Sequence, residues 1–250
     1  MTFSRDTSAK KVYEILGATD LAAHGVRPGG LKLTQRALDL AGLEPGSRFV
    51  DVGCGTGVTL EFIRSHCAYL AVGVDHSSAM LRFGDAQHSG LEFVQAQGEN
   101  LPFCKGYADG LMSECVLSLM NYSDKVLNEF YRVLKPRGKL LLTDVYARNG
   151  AGTNRLDKLP FDCCINGAIP KQEIIKRIER CGFQIECWED HSQLLKDFAV
   201  HLILSYGSLD DFWGQFASDR GDRSEIQKAV SILKPGYYLL IATKQFHVDW

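Results

Sequence analysis

Apolar positions in this chain follow two alternating rhythms. Short, nearly continuous apolar runs recur at Phe49–Asp51, Tyr69–Asp75, Leu91–Gln95, Asp109–Leu117, Lys139–Asp144, Phe183–Glu189 and Tyr237–Thr243. Their length and β-branched content predict strands, and the unbroken run at Tyr69–Asp75 predicts burial on both faces. Between them lie segments with apolar residues every three or four positions, which predict helices: Ser8–Leu16, Leu31–Leu43, Val58–Ile63, Ser78–Ala86 behind a Ser77 cap, Ser123–Leu134 and Lys171–Cys181. Pro170 and Gly182 bracket the last of these, and Lys135-Pro-Arg-Gly138 reads as a turn into the fifth strand. Strand and helix in regular alternation predict an α/β doubly wound fold with parallel pairing and right-handed crossovers.

Two stretches depart from that rhythm. His24-Gly-Val-Arg-Pro-Gly-Gly30 is a loop, because Gly29 and Gly30 break a helix there; it reads either as a linker or as a lid over a bound ligand. Asp190–Pro235 has helical spacing at Leu194, Leu195, Phe198, Leu202, Leu209, Phe212 and Phe216, so it predicts a helical insertion beside the site or a helix pair packed on the sheet edge.

Composition narrows the class. With 250 residues, 45% hydrophobic and 23% charged, the chain can bury a full core as one domain. A net charge of −2 without a basic run argues against a nucleic-acid surface and favours a small-molecule partner. The first twenty residues mix charges with few apolar positions, and no run is long enough to span a bilayer, so the expectation is a cytoplasmic protein without membrane contact. In that compartment the eight cysteines should be thiols.

The chemistry centres on Phe49-Val-Asp-Val-Gly-Cys-Gly-Thr-Gly57, a strand that runs through Asp51 into glycines at strict alternation. Such a loop lets backbone approach a ligand closely, with a helix N-terminus facing the same place. In a dinucleotide fingerprint the third glycine or alanine falls where Val58 stands, so that reading fits poorly. Asp75 ends the second strand twenty-two positions beyond Gly53, where a carboxylate can accept from both hydroxyls of a ribose.

These residues resemble motif I and its partners in the class I S-adenosylmethionine-dependent methyltransferases (the type 11 group). The resemblance implies a Rossmann-like, mostly parallel seven-stranded sheet closed by an antiparallel hairpin, whose second arm would be Tyr237–Thr243. It implies S-adenosylmethionine as cofactor and S-adenosylhomocysteine as product. Asp51, Gly53, Cys54, Gly55 and Gly57 would hold the amino-acid end, with Gly30 from the lid. Asp75 and His76 would take the ribose, with Met80 close by, and Gln97, Gly98 and Glu99 the adenine; Gln97 stands where many relatives have an aspartate. Ser113, Glu114 and Cys115 would form the floor under the methyl donor. The sulfonium makes the methyl group a strong electrophile, so alignment of the acceptor is the main task and a base is needed only for an acceptor that keeps its proton. Glu114, Asp144 and His201 are candidates for that base; a strand-end cap and a core histidine are the plainer readings of the last two.

Cys163-Cys164 stands outside this scheme. Within Cys164-Ile-Asn-Gly-Ala-Ile169, and with Glu114-Cys-Val-Leu-Ser-Leu119, the chain locally resembles the arsenite methyltransferases, which implies Cys164, and with it Cys163, as candidate thiolates for a soft electrophile. No cysteine precedes Cys54, unlike that family, and small buried thiols remain the alternative. No metal-ligand spacing occurs, so no metal is expected. The organisation expected is residues 1–46 as an N-terminal helical lid, 47–146 as the cofactor core, 147–169 as a substrate-side loop, and 170–250 as the last sheet elements with an insertion at 190–235.

Overall fold

The structure is a computed structural model that describes residues 27–120, 123–150, 163–214 and 231–245. The expected helix at Ser8–Leu16 and most of the connection from Arg148 to Pro160 lie outside those residues.

A seven-stranded sheet has the order β3-β2-β1-β4-β5-β7-β6. Its strands are β1 (Arg48–Val52), β2 (Leu70–Asp75), β3 (Glu92–Gln95), β4 (Ala108–Glu114), β5 (Leu134–Ala147), β6 (Phe183–Asp190) and β7 (Pro235–Lys244). The pairings among β1 to β5 are parallel, and β7 runs antiparallel between β5 and β6. The doubly wound reading and the antiparallel last arm are therefore observed. The helices are α1 (Gly30–Ala41), α2 (Val58–His66), α3 (Ser78–Gln87), α4 (Ser123–Val133), α5 (Lys171–Arg180), α6 (Ser192–Tyr206) and α7 (Leu209–Gly214).

Two apolar layers hold the sheet. Leu33, Ala37 and Leu38 of α1 and Ile63 of α2 pack with Phe49, Met112, Leu141 and Leu239 on one face. Val126, Leu127 and Phe130 of α4 and Ile174 and Ile178 of α5 pack with Val50, Leu111, Leu140 and Leu240 on the other. The period of two along each strand sends neighbours to opposite layers, so Asp51, paired with Met112, shares the α1 and α2 face with Glu114.

Several local expectations need correction. Gly30 does not break the helix; it is the first residue of α1, and Gly29, at φ 80°, is its N-cap. The run Tyr69–Asp75 is not buried throughout, because Leu70 is 63% exposed at the start of β2. The run Asp109–Leu117 divides, as a strand and its exit, into β4 up to Glu114 and a 3-10 turn that begins at Leu117. The fifth strand is much longer than Lys139–Asp144: Leu134 already pairs with Ala108, and the Lys135-Pro-Arg-Gly138 turn is a bulge inside β5 with Arg137 at φ 64°. Asp144 consequently lies within a strand, not at its end. His201 is exposed on α6, so it is neither a core histidine nor placed in a buried pocket. Among the described residues no helix is long and apolar enough to cross a membrane.

Candidate active site

The strand order reverses between β1 and β4, and the carboxyl ends of parallel strands at such a reversal form the crevice in which open α/β sheets bind ligands. Asp51, Asp75 and Glu114 stand at or next to the carboxyl ends of β1, β2 and β4.

The glycine loop explains its own spacing. Gly53, Gly55 and Gly57 all have positive φ, at 82°, 56° and 84°, so the alternation is a conformational requirement. The N–H groups of Gly53 and Cys54 donate to the Val74 carbonyl at 2.7 and 3.1 Å, which pins the loop to the end of β2. A Cβ on Gly53 would stand 2.2 Å from Cγ2 of Val116, whereas one on Gly55 would meet only the Met80 methyl at 3.4 Å. The open side of the loop is therefore at Gly55, with Met80 beside it. Cys54 contributes backbone alone, because its side chain is buried with Leu60 and Leu81 and faces Gly73.

Asp75 organises this loop. One carboxylate oxygen accepts from the Gly55 N–H at 2.9 Å and the other from the Ser77 N–H at 2.8 Å, with His76 Nδ1 3.4 Å from the latter oxygen. Ser77 caps α3 by accepting from the Met80 N–H. A carboxylate has about four acceptor sites, so ribose hydroxyls can still be served. Gln97 is exposed and bridges to Asn100, Gly98 is buried against Met120, and Glu99 is half-buried, all three in the turn that follows β3.

The fourth strand delivers a buried ionic cluster that the sequence reading missed. Arg27, just ahead of α1, reaches across to Glu114 at 3.0 Å, with the two side chains 11% and 5% exposed. The same Nη2 donates to Thr34 Oγ1 of α1 at 2.8 Å and to Thr59 Oγ1 in the first turn of α2 at 2.9 Å. Both hydroxyls in turn donate to Glu114, at 3.0 and 2.9 Å. Arg27 Nε is buried without an acceptor among the described residues, as is Ser113 Oγ. Burial is the largest influence on Arg27 and lowers its pKa, but Glu114, Tyr237, Asp51 and Cys115 together outweigh it, so the net shift is upward. Asp51 is buried beside this cluster; desolvation and then the Glu114 charge push its carboxyl up to about 8, with Arg27 opposing. The one signal in the sequence is the arginine of the Arg27-Pro-Gly-Gly30 loop.

The cysteines divide differently from the expected vicinal pair. Cys163 is buried, and its thiol is directed to Asn166 Oδ1 at 3.3 Å within the capping of the 3-10 turn Cys164–Gly167. Cys164 is instead hydrogen-bonded to Cys115, and that contact, then burial, raises the Cys115 pKa well above the usual thiol range. Cys115 Sγ also lies 3.0 Å from the Tyr237 hydroxyl, which donates to Thr143. Cys115 has φ 56°, a strained conformation for a residue with a Cβ, while its N–H donates to the Thr143 carbonyl at 2.7 Å. Asp144 accepts from the N–H and hydroxyl of Ser118 at 2.8 and 2.6 Å, so it anchors the turn after β4; burial still raises its pKa to about 6.

Residues 50–142 match the methyltransferase domain family (Methyltransf_11). Over that segment the chain is similar in sequence to a methyltransferase domain, on a sheet of the order described above. Among relatives, it is 25% identical over 191 residues to phosphoethanolamine N-methyltransferase 3 of Arabidopsis thaliana, an alignment covering 75% of this chain and 35% of that protein. It is 35% identical over 122 residues to the uncharacterized methyltransferase YodH of Bacillus subtilis, covering 47% of this chain and 51% of that one. The matched part thus spans about a third to a half of these relatives' own length. Among solved structures, phosphoethanolamine N-methyltransferase 2 of Haemonchus contortus, in complex with phosphomonomethylethanolamine and S-adenosylhomocysteine, superposes with a TM-score of 0.69 at 18% identity, over 98% of this chain and 62% of that one. At that identity the likeness is one of fold.

Proposed function

We propose that this chain binds S-adenosylmethionine across the carboxyl ends of β1, β2 and β4 and transfers its methyl group to a small-molecule acceptor. The observation that carries this reading is the loop of three alternating left-handed glycines whose open middle member, Gly55, is fastened by Asp75. A loop side without a Cβ, a helix N-terminus behind it and a carboxylate at its rim suit the amino-acid end and the ribose of this cofactor. The cofactor, when bound, supplies the activated methyl group; the protein's own task is to hold and align. Asp51, Gly53, Gly55, Gly57 and Glu114 line the amino-acid end, Asp75 and His76 the ribose, and Gln97, Gly98 and Glu99 the adenine. Residues 1–46 are assigned as the lid, 147–169 as the substrate-side loop, and 190–235 as the insertion beside the site. Eight cysteine thiols fit a cytoplasmic location.

Calorimetry with S-adenosylhomocysteine tests the reading. Wild type is expected to bind, and Asp75→Ala to bind about tenfold or more weakly, since a charge-assisted hydrogen bond contributes roughly 1.5–3 kcal/mol. Absence of heat from folded wild type with both S-adenosylmethionine and S-adenosylhomocysteine overturns it. Binding without transfer to any of a panel of small-molecule acceptors leaves a cofactor-binding protein that has lost the reaction.

A second reading concerns the acceptor. Cys115, hydrogen-bonded to Cys164, directly precedes Val116, which packs on Gly53 of the loop. Two adjacent sulfur ligands beside the methyl donor suit a thiophilic species such as arsenite. Purified protein is then expected to methylate arsenite, with Cys164→Ser reducing the rate at least tenfold. Equal rates for wild type and variant end the ligand role of this thiol.

A further inference from the structure

Three glycines from three separate segments press on one short turn. The Leu117–Leu119 turn, with Val116 and Met120 at its ends, leaves no room for a side chain at any of the three contacts. A Cβ on Gly53 of the glycine loop would overlap the Val116 side chain, and one on Gly98 would lie 2.7 Å from the Met120 methyl. A Cβ on Gly167 would overlap the Ser118 carbonyl oxygen. Gly167 ends the 3-10 turn Cys164–Gly167, part of the segment assigned above as the substrate-side loop. Close-packed groups transmit strain, so a shift of the Leu117–Leu119 turn moves its neighbours with it.

Asp144 fixes that turn. Its carboxylate is 2% exposed and accepts from the Ser118 N–H at 2.8 Å, the Ser118 hydroxyl at 2.6 Å and the Val145 N–H at 2.7 Å. A buried carboxylate is a costly device for a turn whose own backbone bonds, Leu119 N–H to Val116 and Met120 N–H to Leu117, already close it. What the carboxylate adds is a fixed position against β5. A second tie joins the same regions: Cys164 is hydrogen-bonded to Cys115, whose N–H donates to the carbonyl of Thr143, the residue before Asp144.

Resting on the methyl-donor reading above, we propose that Asp144 is a positioning residue for methyl transfer, which by pinning Ser118 sets the substrate-side turn Cys164–Gly167 against the glycine loop. Val116 abuts the loop proposed to hold the donor and Ser118 abuts Gly167, so both sides of the reaction are referred to one anchor. In-line transfer needs such a reference, because a misplacement of about 1 Å can cost roughly a hundredfold in rate.

The test reads the substrate-side turn without an acceptor. Protein is alkylated with iodoacetamide, with and without saturating S-adenosylhomocysteine, and the rate at each cysteine is followed by peptide mass spectrometry. Cys164 is partly buried on the turn; Cys181 at the end of α5 and Cys187 on β6, also partly buried, are the internal references. In wild type the ligand is expected to slow alkylation of Cys164 by about fivefold or more and to leave the references unchanged. Asp144→Asn presents an amide N–H₂ to one of the three donors. It should speed alkylation of Cys164 without ligand by about tenfold or more, as a charge-assisted bond is lost, and abolish protection at full occupancy. Ser118→Ala keeps the main-chain bond, should fall between, and carries the test if circular dichroism shows Asp144→Asn unfolded. Faster alkylation of Cys181 and Cys187 in step with Cys164 marks general loosening and overturns the proposal. So does a wild type without protection, or protection equal in wild type and the folded variants. Each of these outcomes leaves the methyl-donor reading standing if calorimetry shows that wild type binds S-adenosylhomocysteine; folded wild type that binds neither it nor S-adenosylmethionine removes both.

Discussion

Gly53→Ala is expected to abolish measurable S-adenosylhomocysteine binding and to lower the unfolding midpoint. Gly53 has φ 82°, where a side chain costs about 1–3 kcal/mol, and its Cβ would lie 2.2 and 2.8 Å from the two methyl carbons of Val116. Val116 cannot retreat freely, because the preceding Cys115 is already in a strained conformation fixed by its hydrogen bond to Thr143. Relief must come from moving the loop away from β4, which also breaks the 2.7 Å bond from the Gly53 N–H to Val74. Gly55→Ala provides the contrast. Its Cβ meets only the Met80 methyl at 3.4 Å, so its cost to folding is that of the φ of 56° alone, while the new methyl projects into the open side where the ligand is proposed to lie. Both variants should lose binding by at least a hundredfold, and only Gly53→Ala should lose stability beyond the backbone cost. Calorimetry together with urea denaturation distinguishes them; wild-type affinity in Gly53→Ala would remove the loop from the binding site.

The contrast between these glycines also marks what the sequence makes legible. Strand–helix alternation and the glycine spacing are local or periodic properties, and each is found in the structure, as α/β order and three positive φ values. Asp75 was legible because a carboxylate at the end of a second strand has a fixed relation to the loop beside it. The Arg27 cluster was not, since it joins a pre-helix loop to residues thirty-two positions away on α2 and farther still on β4. No periodicity encodes such a reach; only the packing of α1 and α2 on one sheet face brings Thr34 and Thr59 to opposite sides of Glu114. Tyr237 was read as a strand residue, and nothing local announces that its hydroxyl meets Cys115. The Cys163-Cys164 pair misled in the opposite direction. Adjacency in sequence suggested a shared role, yet successive residues entering a tight turn point apart, one to Asn166 and the other to Cys115.

The second large effect is on the dependence of stability on pH. Burial and the neighbouring Glu114 charge hold the Asp51 carboxyl at about 8 in the folded protein, with Arg27 only partly compensating, against about 3.9 in an unfolded chain. Between those values the folded protein keeps a proton that the unfolded chain has lost. Its contribution is therefore fully present below about pH 4, declines as pH rises, and is gone above about pH 8, at a limiting rate of roughly 1.4 kcal/mol per pH unit for one group. Asp51→Asn imitates the protonated carboxyl at every pH. The variant should match wild type near pH 4, unfold at higher urea concentration than wild type by pH 8, and show a shallower decline between. Asp144, raised to about 6, acts in the same direction up to that pH but is present in both proteins, so the difference between their profiles isolates Asp51. Urea midpoints at pH 5, 7 and 9 measure it, and parallel profiles for the two proteins would place Asp51 in its ionised form throughout. Ligand binding should run opposite to stability. A ligand that brings positive charge to the carboxyl ends of β1 and β4 favours ionised Asp51, so wild type should bind S-adenosylmethionine more tightly as pH rises from 6 to 8 and release a proton on binding. Asp51→Asn should do neither.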